Sequence, residues 1–546
     1  REKAVSTMEP SAVSDWQRWN PRAEDLELET VGEQETNGVK VTRLYFTAHK
    51  IAGQPVRIYG VYARPARVGR RLPGLLFIHG GGQVADEPEA VAMARHGYAV
   101  FSHDWKCAEQ PDQPNHASRW PFDAQGRRLR ADEYRDSPAW IARRALTVLE
   151  RQPEVDPRRL GVYGFSWGGY HTWTVAATDD RVKAANPSCG VLWSRQPFMN
   201  RLRVPVLFTS ASNDFFAKLD AAHAVLEGLN VPCLRLIAPN EDHNLAGTPW
   251  ETTRLRWFNH HLRGGPPLAA APRIDVTLDG ASGSVTVRAP GATSSQLVYS
   301  YGSNAAPDRC WFGAPLTRVG RGVFQAALPR VAGLELWCFA NCAYRDGTAL
   351  STDLVTLPAP AGMPPAPGRV LYDPAADGCY PWYFSWQGPV PDHPWHSWGD
   401  TALAVAADVG GRPALRVHSS LPVLQGQSVF KAFLRSPACP LRRRADAQGL
   451  SIEVFGARPL RVTVAAHASG VWHADAQPFR AVLEVAADEG WATLVLPMPA
   501  FQRQNQTNGQ TETLSSFAAV QQFHVTLESA DRAGARPALG TIRWLP

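Results

Sequence analysis

A serine between two glycines, Gly164-Phe165-Ser166-Trp167-Gly168, follows an apolar run that starts at Leu160 and precedes a helix-compatible stretch. In this G-x-S-x-G pattern the serine occupies a tight strand-to-helix turn. Gly164 and Gly168 let neighbouring backbone come close, and the Ser166 hydroxyl stands clear as a nucleophile. The same turn aims the Trp167 N–H, at the start of the helix, toward any oxyanion formed at Ser166. A serine hydroxyl is a weak nucleophile until a base takes its proton, so this chemistry calls for an imidazole and a carboxylate to orient it. Asp214 lies just past the strand-like run from Val204 to Thr209, and His243 lies in the loop beyond the run from Pro232 to Ile237. These two are the candidates for acid and base. Asp220 and His223 are rivals that fall within a helical pattern and read as its exposed face. A third rival, Asp242, adjoins His243 in sequence and has to bend back to orient it.

The nucleophile also needs a second amide aimed at the oxyanion, from the loop after an early strand. The apolar run Gly74 to Ile78 feeds into His79-Gly80-Gly81-Gly82-Gln83, and Gly81 is the first choice for that donor, with Gly82 or Gln83 behind it. Taken alone, these glycines read as a tight turn; with the serine turn downstream, the oxyanion reading is favoured. His103, Asp104 and Trp105 follow another buried strand, Gly97 to Ser102, where open parallel sheets place their sites. Structural and functional roles are equally open for these three. Gly82, Gln83 and Trp105 are the candidate pocket residues. No metal or organic cofactor is called for, and the eight cysteines show no C-x-x-C spacing; they read as buried thiols with one or two disulfides among them.

Positioning these groups takes strands alternating with helices. Val41 to Thr47 and Val56 to Ala63 alternate as half-buried strands, and Glu89 to Arg95 is helix-like. Ser137-Pro138 is an N-cap followed by proline at the first helical position, with Ile141, Ala145, Val148 and Leu149 on one face. Val182 to Pro187 reads as a strand, Phe216 to Leu229 as a helix, and Pro249 to Arg263 as a closing amphipathic helix. Such alternation predicts an α/β fold, a doubly wound, mostly parallel sheet covered on both faces. Residues up to about Asn37 are polar and read as an arm packed on the first domain.

At 546 residues, with 44% hydrophobic and 19% charged, the chain is long enough for two to four domains and several cores. A net charge of +6 with no dense Lys/Arg block argues against nucleic acid as a partner, and no apolar run reaches the roughly 18 residues that span a bilayer. From Ile274 the texture becomes alternating strands and turns, the pattern of a small β-sandwich. Proline-rich residues 358–368 form a stiff linker, and residues 369–546 are again strand-rich. The expected division is therefore 1–265, the catalytic domain with its arm; 266–357, a small Ig-like sandwich; 358–368, the linker; and 369–546, a second sandwich.

Residues from about 40 to 263 resemble an α/β-hydrolase of the acetyl-xylan-esterase and dienelactone-hydrolase-like group. The turn Gly164-Phe165-Ser166-Trp167-Gly168-Gly169-Tyr170 is also similar to that of prolyl-oligopeptidase-type hydrolases. Asn213-Asp214-Phe215-Phe216 with Pro239-Asn240-Glu241-Asp242-His243 resembles the bacterial PhoPQ-activated pathogenicity-related hydrolases. The order serine, aspartate, histidine is the one such a fold carries, and the short spacings leave little room for an inserted lid, so an open pocket rimmed by loops is expected. The chain departs from the oligopeptidases in having no N-terminal run of blade-like repeats. The resemblance implies a serine esterase acting on a small ester or an acylated carbohydrate, with a peptidase or a binding protein on a vestigial hydrolase scaffold as alternatives.

In the last part, Trp491 to Phe501, Phe517 to Val520 and Phe523 to Val525 resemble galactose-binding-like jelly rolls, many of which bind carbohydrate. Trp382, Tyr383, Trp386, Trp395 and Trp398 are a candidate sugar platform, against the reading that they fill the module's core. Arg1-Glu2-Lys3-Ala4-Val5 lacks a signal-type apolar core; the expectation is a secreted or periplasmic protein whose signal is not in the chain, with the cytoplasm as the alternative.

Overall fold

The computed structural model describes residues 19–105, 117–131, 134–192, 197–245, 247–302, 305–383, 404–417, 428–456, 460–468, 477–485, 490–505, 509–529 and 537–546. The chain forms two compact units. One comprises Arg1–Thr209, Ala221–Leu234 and Glu251–Leu268, the other Ser210–Asp220, Arg235–Trp250 and Ala269–Pro546.

The elements that lead to the candidate site are, in chain order, β1 (Glu29–Thr36), β2 (Val39–Ile51), β3 (Gln54–Pro65), β4 (Leu72–Ile78), α1 (Glu87–Arg95), β5 (Ala99–His103), α2 (Pro138–Glu150), β6 (Val155–Phe165), α3 (Trp167–Thr178), β7 (Val182–Ser188), β8 (Val206–Ala211), α4 (Leu219–Leu226), β9 (Cys233–Ala238) and α5 (Trp250–Arg263). The strands belong to one nine-stranded sheet in the order β1-β2-β3-β5-β4-β6-β7-β8-β9. It is antiparallel from β1 to β5 and parallel from β5 through β4, β6 and β7 to β8. The parallel strands are covered on both faces, which is why residues 75–78 of β4, 99–101 of β5 and 206–208 of β8 are apolar without alternation. Two glycines show how closely the covering helices approach. A Cβ on Gly74 would lie 3.0 Å from Leu149 of α2, and one on Gly161 would lie 2.9 Å from Phe258 of α5. Gly74 pairs with Leu160, whereas Gly161 pairs with the next residue, Leu75, so the two helices lie on opposite faces of the sheet.

The N-terminal signals act as their residue types dictate. Asp86 caps α1 by accepting from the Glu89 N–H at 2.9 Å, and Ser137 caps α2 by accepting from the Trp140 N–H at 3.2 Å, with Pro138 at the first turn. The buried Arg144 of α2 donates to the carbonyls of Glu24 (3.0 Å), Asp25 (3.0 Å) and Thr47 (2.8 Å), pinning the polar arm to the helix. Part of that arm is a strand. β1 pairs with β2 at the edge of the sheet, and its run ETVGEQET has no apolar alternation because both of its faces are largely exposed. A register shift between Thr30 and Gly32 breaks its regularity, as edge strands commonly require.

The predicted helix from Phe216 to Leu229 shrinks to α4, Leu219–Leu226. The Asp214 carboxylate accepts the N–H groups of Phe216 (2.7 Å) and Ala217 (2.8 Å), which replaces the first helical turn with a side-chain-closed turn.

Beyond α5 the structure is antiparallel, consistent with sandwich domains. Arg273–Asp279, Ser282–Arg288, Val323–Ala327 and Thr317–Gly320 form one sheet. Phe312–Pro315, Ala292–Tyr301, Leu336–Tyr344 and Ala349–Ser351 form another, with Val355–Leu357 on Leu336–Tyr344. Further on, Gly449–Gly456, Ala538–Leu545 and Gly490–Pro497 belong to a third sheet, and Ser428–Leu434, Gln522–Ser529 and Leu460–His467 to a fourth. Ile452, Val464, Phe501, Phe517, Phe523 and Trp544 contribute to the core of this last region. Trp382 belongs to that core as well, edge-on to Tyr372 at 5.2 Å between ring centroids. It fills space and is no sugar platform. Trp386, Trp395, Trp398 and the side chain of Tyr383 lie outside the described residues.

The seven described cysteines are all free thiols, so the expected disulfides are not found among them; Cys107 lies outside the described residues. Cys338 and Cys342 sit on the same strand, four residues apart, which separates them by about 13 Å, far beyond disulfide reach. No helix among the described residues is long and apolar enough to cross a membrane.

Candidate active site

Ser166 follows β6 and opens α3. Its backbone has φ 59° and ψ −122°, a region that a side chain enters only when its surroundings force it. Those surroundings are backbone. The Ser166 N–H donates to the Ser188 carbonyl at 2.9 Å, and the Ser166 carbonyl accepts from Tyr170 at 2.9 Å. Gly168 lies against the carbonyls of Ile78 and His79, and Gly190 against the Ser166 carbonyl. The turn delivers the hydroxyl at the positive end of α3.

The glycine loop after β4 borders this turn: a Cβ on Gly80 would lie 3.1 Å from the Ser166 Cβ, and one on Gly81 would lie 2.5 Å from Cδ1 of Trp167. Its conformation is locked from two sides. Gly80 N–H donates to Gln83 Oε1 at 2.6 Å, and Trp105 Nε1–H donates to the His79 carbonyl at 2.9 Å. Gln83 therefore turns its amide oxygen back onto the loop. Trp105 is buried and stacks on the His79 ring at 5.3 Å, bracing the loop. Gly82 takes φ +76°, at an exposed position of the same loop.

Asp104 completes this support, since its carboxylate accepts from Ala85 N–H (2.8 Å) and Ser118 Oγ–H (2.9 Å). His103 is structural. Its ring is fully buried and its Nδ1 lies 2.8 Å from the Asp104 carbonyl, while Nε2 has no partner among the described residues. Burial pushes its pKa down to about 4, below the ordinary value near 6.5. The folded protein therefore binds this proton less readily than the unfolded chain does. Its contribution is fully present above about pH 6.5 and is lost as pH falls toward 4, on the order of 3 kcal/mol in all. Urea denaturation at pH 7.5 and pH 4.5 should show a smaller acid-induced loss in His103→Leu than in the parent; equal losses in both proteins contradict this assignment.

Asp214 and His243 follow β8 and β9. Both oxygens of the fully buried Asp214 lie 3.0 Å from His243 Nδ1, the arrangement that fixes a ring's tautomer and stabilises its protonated form. Phe215 packs edge-on against the His243 ring at 4.7 Å. Among the rivals, Asp242 accepts the backbone N–H of His243 through Oδ1 at 2.5 Å. It braces the main chain while Asp214 takes the ring, and burial raises the pKa of its carboxyl. Asp220 is partly exposed at the start of α4, 3.8 Å from Arg309.

Sequence reasoning missed three side chains that shape the loops around Asp214 and His243. Ser212 Oγ accepts from the Asn240 N–H at 2.8 Å and donates to Asn213 Oδ1 at 2.7 Å, and Asn213 Nδ2 donates to the Arg309 carbonyl at 2.6 Å. Asn240 has φ +58°, a conformation that asparagine tolerates better than most residues; its place ahead of the Asp242-His243 pair was the available signal.

A serine turn of this kind, on a sheet wound in this order, is the mark of the α/β-hydrolase fold. Residues 14–200 match the acetyl xylan esterase family (AXE1); the matched stretch includes the glycine loop and Ser166 and stops short of Asp214 and His243. The chain is also similar to an uncharacterized peptidase, YuxL, of Bacillus subtilis, with 23% identity over 158 residues, 21% of this chain and 24% of that protein. It thus spans about a quarter of the length of that relative. Among solved structures, an acetyl xylan esterase from Paenibacillus sp. R4 is 17% identical with a TM-score of 0.38, covering 46% of this chain and 95% of its own. A Pyrococcus horikoshii acylaminoacyl peptidase is 14% identical with a TM-score of 0.31, covering 43% of this chain and 50% of its own.

Proposed function

We propose that the protein removes short acyl groups, acetyl foremost, from small or carbohydrate-linked esters through an acyl-enzyme on Ser166. His243 Nε2 takes the Ser166 proton as Oγ attacks the ester carbonyl, and later returns it to the departing alcohol. Asp214 keeps the proton on Nδ1 and stabilises the imidazolium. The Gly81 and Trp167 N–H groups receive the oxyanion. Water then repeats the sequence on the acyl-enzyme and releases the acid.

The observation that carries this reading is the His243 ring held through Nδ1 by a buried carboxylate at 3.0 Å, which leaves Nε2 as the basic nitrogen. The family match at residues 14–200 favours an acetyl ester as substrate. The test is a panel of acetylated xylo-oligosaccharides, p-nitrophenyl esters of increasing chain length and aminoacyl nitroanilides, together with a fluorophosphonate probe mapped by peptide mass. Acetyl esters should turn over fastest and the label should sit on Ser166. Preferential cleavage of the nitroanilides overturns the esterase assignment, and a label elsewhere overturns the nucleophile.

A further inference from the structure

The loop that carries His243 is held by the C-terminal β-module. Arg435 follows the strand Ser428–Leu434 and is buried, with 3% of its surface exposed. Its Nε–H donates to the Asn240 carbonyl at 2.9 Å and its Nη1 to the Pro307 carbonyl at 3.0 Å, while its own backbone N–H is fixed on the Pro381 carbonyl at 2.9 Å. A guanidinium is a rigid, planar fork, so two carbonyls bound at once fix each other's position. Asn240 is equally committed elsewhere. Its Nδ2 donates to the carbonyls of Trp311 (2.7 Å) and Tyr380, its Oδ1 accepts from the Trp311 N–H (2.8 Å), and its N–H donates to Ser212 Oγ (2.8 Å). The residue three places before His243 therefore has its side-chain amide, its N–H and its carbonyl all tied to neighbours.

We propose that Arg435 is a positioning residue for ester hydrolysis: by holding the Asn240 carbonyl it sets the loop on which His243 rides, and so makes the C-terminal module part of the catalytic apparatus. This rests on the reading of His243 as the general base. A buried arginine is also the cation facing Asp242, whose carboxylate oxygen accepts the His243 N–H. Its charge favours the ionised form of that carboxyl against burial. Displacing a general base by about 1 Å can cost on the order of 100-fold in rate, so a tie at this distance from the chemistry is large enough to be read in kcat.

The experiment uses the full chain. Arg435→Ala, Arg435→Lys and Asn240→Gly are assayed on p-nitrophenyl acetate for kcat and KM, alongside thermal midpoints and His243→Ala as reference. Asn240→Gly retains the left-handed backbone while deleting the amide ties. Folded Arg435→Ala should lose about 10- to 100-fold in kcat with KM within about twofold. Arg435→Lys should fall between it and the parent, because an ammonium lacks the two-pronged geometry. Added guanidinium should restore several-fold activity to Arg435→Ala and none to Asn240→Gly, which loses kcat to a similar degree. If Arg435→Ala fails to fold, the other two variants decide on the same readout. Folded variants with kcat within about twofold of the parent, while His243→Ala is inactive, overturn this inference and leave the proposed mechanism standing. Activity retained in His243→Ala overturns the mechanism itself.

Discussion

Ser166→Ala is expected to lower kcat on p-nitrophenyl acetate by about 10⁵- to 10⁶-fold, and His243→Ala by about as much, with the double variant no worse than either. The non-additivity is the informative part. Nucleophile and base act in one step, so losing either abolishes the attack that both serve, and the residual rate is what binding and oxyanion donors supply by themselves. Asp214→Asn should cost about 10⁴-fold, for a reason visible in its hydrogen bonds. Asp214 Oδ1 already accepts the N–H groups of Phe216 and Ala217. An asparagine must keep its carbonyl oxygen there, which turns its NH₂ toward His243 Nδ1. The imidazole then carries its proton on Nε2 and cannot accept one from serine. Steady-state kinetics on the three single variants and the Ser166/His243 double variant check this, with fluorophosphonate labelling of Asp214→Asn slowed in proportion to kcat. Additive losses contradict a shared step.

Gly168→Ala is expected to prevent the first unit from folding. A Cβ at this position would lie 1.8 Å from the Ile78 carbonyl oxygen, 2.5 Å from its carbon and 2.7 Å from the His79 carbonyl oxygen. All three are backbone atoms at the end of β4, and a side-chain rotation cannot relieve the clash. Separating the turn from β4 would break the central parallel pairing and pull the glycine loop from Ser166, a loss above about 4 kcal/mol. Gly69→Ala is the control, because it meets nothing within 4 Å and should change stability by less than about 0.5 kcal/mol. Soluble expression and denaturation midpoints decide; a Gly168→Ala protein as stable as Gly69→Ala contradicts the packing described.

Much of this architecture was legible because local chemistry dictates it. Buried parallel strands are rich in apolar residues, Ser137-Pro138 is a cap before it is anything else, and Gly164, Ser166 and Gly168, a common pattern alone, gain meaning from the glycine loop before them and from Asp214 and His243 after them. Legibility failed where structure depends on residues far away in sequence. β1 is a strand only because β2 offers an edge, and nothing in ETVGEQET announces it. The helix after Phe216 starts late because the Asp214 side chain competes for its first amides. Trp382 was open to two readings, ligand surface or core, and it is core; an aromatic residue in a sequence carries no sign of which way it faces. Arg435 carried no local signal, and its role emerges only with its two acceptors beside it.

The far edge of the nine-stranded sheet has a further implication. In β9 the Ile237 N–H donates to Ser351 Oγ at 2.8 Å and its carbonyl accepts from Asn341 Nδ2 at 3.1 Å, so side chains of the strands that follow saturate groups that an outer strand leaves open. A recombination junction placed directly after α5 would strip those partners and leave bare peptide groups able to recruit another chain. The edge of the sheet is therefore complete only with the residues that seal it.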